Sequence, residues 1–318
     1  MSGPEESKLP HEPVLYQEII HALRPQRAGK YVDGTLGAGG HAWGILQVSG
    51  AGGRLLGLDV DPQALAMARQ RLAEYGERAI VVQASYTELS AQLAMLGWEA
   101  VDGILLDLGA SSMQFDTAER GFSFQADGPL DMRFSPENPV TAADLVNDLP
   151  ESELADLIYR YGEERRSRQI ARALVQARPL QTTSQLAETI AKAAGGRSKA
   201  EHIHPATRTF QALRIAVNEE LQAIEQVLPQ AVAALAPGGR LAVIAFHSLE
   251  DRIVKQYFRR ESQDCICPPE QPVCICDHKA SIEIITRRPI GPAEAEAQAN
   301  PRARSARLRV AEKLAVEA

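Results

Sequence analysis

The sequence predicts an α/β fold with a Rossmann-like, mostly parallel sheet and an inserted all-helical domain. Three observations carry that prediction. Between residues 30 and 109, short apolar segments alternate four times with helical patterns, the mark of a parallel sheet covered on both faces. From about 141 to 228 the pattern is helical throughout. Strand-like segments then return, so the helical stretch reads as an insertion between a fourth and a fifth strand. The boundaries expected are 1–115 for the first part of the α/β domain, 116–215 for the inserted domain and 216–318 for the second part.

The elements follow in order. Residues 30–34, KYVDG, form a short strand that runs into the glycine-rich turn Gly34–His41, with a helix to about Gln47. Residues 53–59 are a second, glycine-bounded strand. Asp61 and Pro62 supply an N-cap and a first-turn proline, Leu65, Ala68, Leu72 and Tyr75 recur at helical spacing, and Gly76 is the stop. Strands at 79–83 and 101–109 flank a helix from Thr87 to Leu96. Residues 110–140, rich in Gly, Pro, Asp and Phe, read as a long ordered loop. Helical stripes follow at Leu154, Leu157, Ile158 and Tyr161, at Leu186 and Ile190, and at Leu213, Val217, Leu221, Ile224 and Leu228. After the turn LAPGGR come a fifth strand at 241–246, a helix from about Leu249 to Phe258, and strands at 282–286 and 305–312.

Composition narrows the function classes. The chain has 318 residues, 45% hydrophobic and 24% charged, with a formal charge of −7, which excludes wholesale disorder. No apolar run approaches the ~18 residues of a membrane span. The N-terminal segment lacks a basic stretch followed by an apolar core, so a cytoplasmic protein is expected. The charge is uneven. Arg160–Arg178 and Arg287–Arg309 each hold six arginines against two glutamates, enough to meet phosphates locally. Solvated helix faces would give the same pattern.

A glycine-rich turn between strand and helix lets backbone approach a ligand and aims helix N–H groups at it. Gly37, Gly39 and Ala42 nearly match G-x-G-x-x-G/A, although a tight structural turn reads the same way. Asp59 ends the next strand, about twenty residues on, where an acid can bind a ribose diol. Asp33, before the loop, suits a cationic ammonium and sulfonium better than a pyrophosphate, which it would repel. This favours S-adenosylmethionine (SAM) over NAD. His41 at the helix start can donate to a carboxylate, and Tyr86, after the third strand, can stack on a purine. Asp107 ends the fourth strand in LLDLG. Ligands in open α/β sheets sit beyond the strands' carboxyl ends, so Asp33, Asp59 and Asp107 are expected in one crevice.

All four cysteines fall in C-I-C-P-P-E-Q-P-V-C-I-C. Residues i and i+2 of a strand share a face, so Cys265, Cys267, Cys274 and Cys276 could present four thiolates to one zinc. The spacing is shorter than C-x₂-C, and free thiols remain open.

Long strings then match a family. HEPVL at 11–15, DGTLGAGGH at 33–41, DGILLDLGASS at 102–112, ERGFSF at 119–124, GPLDMR at 128–133, HPATRTFQALRIAVN at 204–218, FHSLEDRIVK at 246–255 and NPRARSARLR at 300–309 together resemble the bacterial 16S ribosomal RNA cytosine-N4 methyltransferases, from about His11 to Lys313. The resemblance does not explain the cysteines. It implies a class I SAM-dependent methyltransferase that methylates the exocyclic N4 of one cytidine in the decoding centre of small-subunit rRNA. By the same resemblance Gly39, Gly40 and His41 fall in the SAM loop, Asp59 on the ribose acid, Tyr86 where the family can carry Phe, and Asp107 and Gln114 in DLGASSMQ. The implied partner is 16S rRNA in the small ribosomal subunit, with no DNA and no membrane.

Asp107 is the candidate acceptor of an N4–H hydrogen bond, or else it only holds SAM. The strand end reads DLGA where many amino-methyltransferases carry Asp/Asn-Pro-Pro-aromatic, so a stacking aromatic would come from Phe115, Phe122 or Phe124. Arg165, Arg166, Arg168, Arg172, Arg197, Lys199, Arg208, Arg302, Arg304 and Arg307 are candidate phosphate grips. Three rivals stay open: a methyltransferase for a small molecule or protein amine, an NAD-linked oxidoreductase, and a non-enzymatic RNA-binding factor that senses SAM.

Overall fold

A computed structural model describes residues 13–195, 204–271 and 273–315. The chain divides into two compact units, residues 1–108 with 223–318, and residues 109–222. The divisions fall after Leu108 and Gln222, where the sequence placed them after 115 and 215.

In the first unit, helix α1 (Tyr16–Leu23) precedes β1 (Lys30–Asp33), α2 (Gly40–Val48), β2 (Arg54–Asp59), α3 (Pro62–Arg71), β3 (Ala79–Gln83), α4 (Leu89–Met95) and β4 (Val101–Asp107). The start of α3 is as its sequence dictates: Asp61 Oδ1 accepts the Gln63 N–H and Pro62 occupies the first turn. Sequence reading missed α1. It is short, and Leu15 before it takes left-handed backbone without a side-chain cap, while Arg24 closes it in left-handed backbone with its N–H donating to the Ile20 carbonyl. Its burial of Ile19, Ala22 and Leu23 is what holds it.

The second unit holds α5 (Ser112–Asp116), α6 (Ala142–Asp148), α7 (Glu151–Gly162), α8 (Ser167–Gln176), α9 (Thr183–Ala193) and α10 (Thr207–Asn218). Its core gathers Leu154, Ile158, Ile170, Leu174, Leu186, Ile190 and Leu213 from the helical stripes. The loop at 110–140 is ordered by side chains bonding to backbone. Asn218 accepts the Phe134 N–H and donates to the Met132 carbonyl, and Arg120 donates to the carbonyls of Arg133 and Phe134. Arg197 and Lys199, and His11 and Glu12 of the first motif, lie outside the described residues.

Helix α11 (Glu220–Ala234) leads to β5 (Leu235–Ala245), α12 (Ser248–Glu261), β6 (Ile282–Ile284), α13 (Glu294–Ala299) and β7 (Arg307–Lys313). β5 begins six residues earlier than the turn LAPGGR suggested. Gly238, at φ 80°, takes up the irregularity, and the pairing register shifts between Val101 and Gly103.

The seven strands run in the order β3-β2-β1-β4-β5-β7-β6. β1 to β5 are parallel, and β7 is antiparallel to both β5 and β6. The core beneath includes Tyr31, Ile45, Leu46, Leu55, Leu65 and Leu105, each full burial of a Leu or Ile contributing about 1.5–3 kcal/mol. The chain winds outward from β1 in one direction and from β4 in the other, so the switch point of the sheet lies between these two strands. Asp33 and Asp107 end them. Among the described residues no helix is long and apolar enough to cross a membrane.

Candidate functional site

The site is built on the carboxyl ends of β1, β2 and β4. Past Asp33 the chain turns through Gly34–Gly39. The Gly34 N–H donates to the Leu105 carbonyl (2.9 Å) and the Leu36 N–H to the Leu58 carbonyl (2.9 Å), which pins the loop across both neighbouring strands. Two glycines are sterically required. Gly39 caps α2 at φ 77°. A Cβ on Gly40 would stand 2.5 Å from Pro13 Cγ.

Asp59 is tied to this loop: Oδ2 accepts the Gly37 N–H and Oδ1 the Asp61 N–H, each at 2.8 Å. Burial raises the Asp59 pKa, partly offset by these backbone donors. Asp33 is buried, and its Oδ1 accepts from the Thr35 N–H (3.2 Å) and hydroxyl (3.5 Å). Burial pushes its pKa up to about 7, Asp59 adding to the effect and Thr35 opposing it. Thr35 Oγ1 also accepts the Asp107 N–H (2.6 Å), so one hydroxyl joins the ends of β1 and β4. Asp107 is raised well above the usual carboxylate range by burial, then by Asp33 and Glu250. Its Oδ1 is buried with no hydrogen-bond partner.

His41 lies on the first turn of α2, buried and stacked on Tyr16. Burial lowers its pKa to about 4, so the ring is neutral and offers one N–H donor and one acceptor. Nε2 stands 3.7 Å from Asp107 Oδ2, too far for a hydrogen bond, and neither ring nitrogen makes one. Tyr86 opens the single turn Tyr86–Glu88 after β3, which Ser85 and Glu88 close as a capping box. Its Cβ lies near Gly34, 3.2 Å from the position a Cβ there would take.

The structure therefore brings Gly39, Gly40, His41, Asp59, Tyr86 and Asp107 to one edge of the sheet. Gln114 belongs to the second unit, in α5. There it is buried, and its Oε1 accepts the Ser111 N–H while Ser111 Oγ accepts the Gln114 N–H. Two residues escaped sequence reading. Thr35 acts through pairing with β4, which its own segment does not reveal. Glu250, wholly buried at the start of α12, accepts the N–H groups of Phe246 and His247. The spacing of FHSLE is a capping-box signal that could have placed it.

Other expectations changed. Among its described residues the Cys265–Cys276 segment forms no strand, since its prolines and bends prevent a ladder, so the face-sharing argument for the C-x-C pairs does not apply. The four sulfurs nevertheless lie within 4.8 Å of one another. Phe122 is core, stacked on Phe134 at 5.6 Å with Phe115 edge-on, and Phe124 packs on His204 and Phe210. Arg165, Arg166, Arg168 and Arg172 are exposed, with Arg165, Arg166 and Arg208 lining a polar hollow beside Glu163 and Glu164. Arg307 is paired with Asp251 (3.2 Å), and Arg304 Nε donates to the Ala297 carbonyl.

The edge fits SAM on its own chemistry. Crowded carboxylates at Asp33, Asp59 and Asp107 call for a cationic ligand, and the unpartnered atoms of His41 and Asp107 call for polar groups to satisfy them. With this strand order they define a class I SAM-dependent methyltransferase.

The chain belongs to the MraW methylase family, whose sequence profile matches residues 8–314. It is 54% identical over 307 residues to a protein of Geobacter sulfurreducens named ribosomal RNA small subunit methyltransferase H, covering 96% of this chain and 99% of the relative. A protein of the same name from Dehalococcoides mccartyi is 53% identical over 305 residues, covering 96% of this chain and 87% of the relative. Among solved structures, an rRNA methylase from Streptococcus thermophilus aligns with a TM-score of 0.42 at 12% identity, over 94% of each chain.

Proposed function

We propose that the protein is a cytoplasmic enzyme that methylates the exocyclic N4 of a specific cytidine in the decoding centre of 16S rRNA, within the small ribosomal subunit. The relatives' name supports the RNA. The observation that carries the chemistry is Asp107, a carboxylate at the switch point whose Oδ1 is buried without a partner.

Bound SAM supplies an electrophilic methyl group on its sulfonium. The remaining work falls to the chain. Asp33 and Asp107 face the positive charge. Asp59 accepts from ribose hydroxyls with its spare lone pairs, and the neutral His41 donates to a carboxylate. Gly39 and Gly40 let the backbone close against the ligand, and Tyr86 stacks on the purine. The cytosine amino lone pair is delocalised into the ring, so the amine must lose a proton as it attacks. Asp107 Oδ1 accepts that N4–H proton. Its raised pKa makes it a better base than an ordinary carboxylate, and the Thr35 hydroxyl fixes its backbone. The exposed arginines of α7 and α8 and the turn between them grip phosphates.

The test gives purified protein labelled SAM and small subunits from cells lacking the activity, with naked rRNA alongside, and resolves the product nucleosides by mass spectrometry. N4-methylcytidine is the expected product. Methyl transfer to another atom, or none despite SAM binding, overturns the reading. Asp107→Asn is expected to lower kcat on the order of 10²-fold, far more than it lowers SAM affinity. Equal losses in both would reduce Asp107 to a SAM ligand.

A further inference from the structure

Between α12 and β6 the chain makes an excursion of about twenty residues without a helix or strand among its described residues. Loops of this length are rarely ordered without a specific cause. This one has no core of its own: Ile266, Val273 and Ile275 are 38%, 68% and 70% exposed. Its base is tied down, since the Ser281 N–H donates to the Glu261 carbonyl (2.8 Å) and the Ala280 N–H to Asp264 (3.2 Å). Its tip is organised around sulfur. Cys265 Sγ lies 3.5 Å from Cys274 Sγ and 3.8 Å from Cys276 Sγ, and Cys274 Sγ lies 3.5 Å from Cys276 Sγ. Four sulfurs at ~2.3 Å from a tetrahedral zinc would stand about 3.8 Å apart.

The backbone around them has the matching polarity. The Ile266 N–H points at Cys276 Sγ and the Ile275 N–H at Cys267 Sγ, both at 3.5 Å. The middle residue of each C-x-C pair thus donates to a sulfur of the other pair. Such N–H groups stabilise thiolates and orient metal ligands. Arg259, Arg260 and Lys279 flank the excursion in sequence and offset part of the charge of a tetrathiolate. All four cysteines are free of disulfides.

We propose that Cys265, Cys267, Cys274 and Cys276 form a structural zinc site that staples this excursion, separate from the methyl-transfer site. Four protein ligands fill the coordination sphere, so the site is closed and has no part in catalysis. Binding replaces thiol protons with the metal and changes no oxidation state.

Protein purified under reducing conditions without added metal, then dialysed against a weak chelator, is expected to carry one zinc per chain by elemental analysis. Cobalt exchanged into the site is expected to show the absorption of a tetrahedral tetrathiolate. In Cys265→Ser/Cys274→Ser, zinc content is expected to fall at least about tenfold, with SAM affinity retained as the check on folding. The wild-type stoichiometry and cobalt spectrum decide the matter if that variant fails to fold. Metal-free protein with four freely reactive thiols would overturn the proposal. So would iron in place of zinc, or a mass showing two disulfides.

Discussion

Two aspartates of the first unit are treated in opposite ways. Asp251, on α12, is held by both arginines of β7. Arg309 Nε donates to Oδ1 at 2.6 Å and Nη2 to Oδ2 at 3.1 Å, with Arg307 at 3.2 Å. Despite its burial, these partners hold its pKa below the usual carboxylate value. Asp107 has no arginine. It faces Asp33 and Glu250, its pKa is pushed up, and one oxygen has no partner. The first arrangement satisfies the carboxylate and locks β7 to α12. The second leaves the carboxylate in want of something, at the end of the sheet where ligands bind. The contrast separates structural acids from functional ones by their partners.

The largest effect is expected from breaking the satisfied pair. Asp251→Ala leaves Arg309 buried without its partner and should destabilise the fold by about 3–5 kcal/mol, read by denaturant unfolding. A loss under about 1 kcal/mol would mean that the pair is incidental.

The opposite outcome is expected at Asp33. Its pKa in the folded chain, about 7, lies above its ordinary value of 3.8. The contribution of such a group to stability is fully present below that ordinary value and is lost as pH rises through 7. Asp33→Asn should therefore stabilise the unliganded protein at pH 8 by up to a few kcal/mol, at about 1.4 per pKa unit, while weakening SAM binding. Asp251 has the reverse sign. Its depressed pKa gives stability that is present above the ordinary value and lost as pH falls through the lower folded one. Thermal unfolding against pH should show the two variants departing from wild type in opposite senses, Asp33→Asn removing a fall in stability between pH 3.8 and 7 and Asp251→Ala removing a rise below 3.8, and departures of the same sign would erase the distinction.

The smallest effect is expected at His41. His41→Leu keeps the bulk and removes the donor. SAM affinity should fall about tenfold, the scale of one hydrogen bond to a charged group. Unchanged affinity would leave His41 as a packing residue.

The sequence foretold this contrast only in part. Asp33, Asp59 and Asp107 were legible because each closes an apolar segment, and strand ends converge by the geometry of a parallel sheet. The glycine loop was legible from its spacing. Glu250 was passed over although FHSLE carries its capping signal, and Thr35 was not legible because its role arises from a contact with β4, far away in sequence. For the same reason Arg307 read as a phosphate grip: Asp251 is 56 residues away, and local charge counting does not see it. The cysteines were legible as a cluster, but their grouping rests on a turn with no strand among its described residues, which period-two reasoning could not anticipate. Helix α1 escaped because tertiary burial, with little help from caps, stabilises it.

The most direct test of the strand-end carboxylates is proton release on SAM binding, measured by calorimetry at pH 7 in buffers of different ionisation enthalpy. A cationic ligand should draw the crevice carboxylates to their charged form. Wild-type protein is then expected to release roughly half a proton more per site than Asp33→Asn. Equal proton exchange in the two proteins would show that SAM does not meet this carboxylate, and would contradict the account.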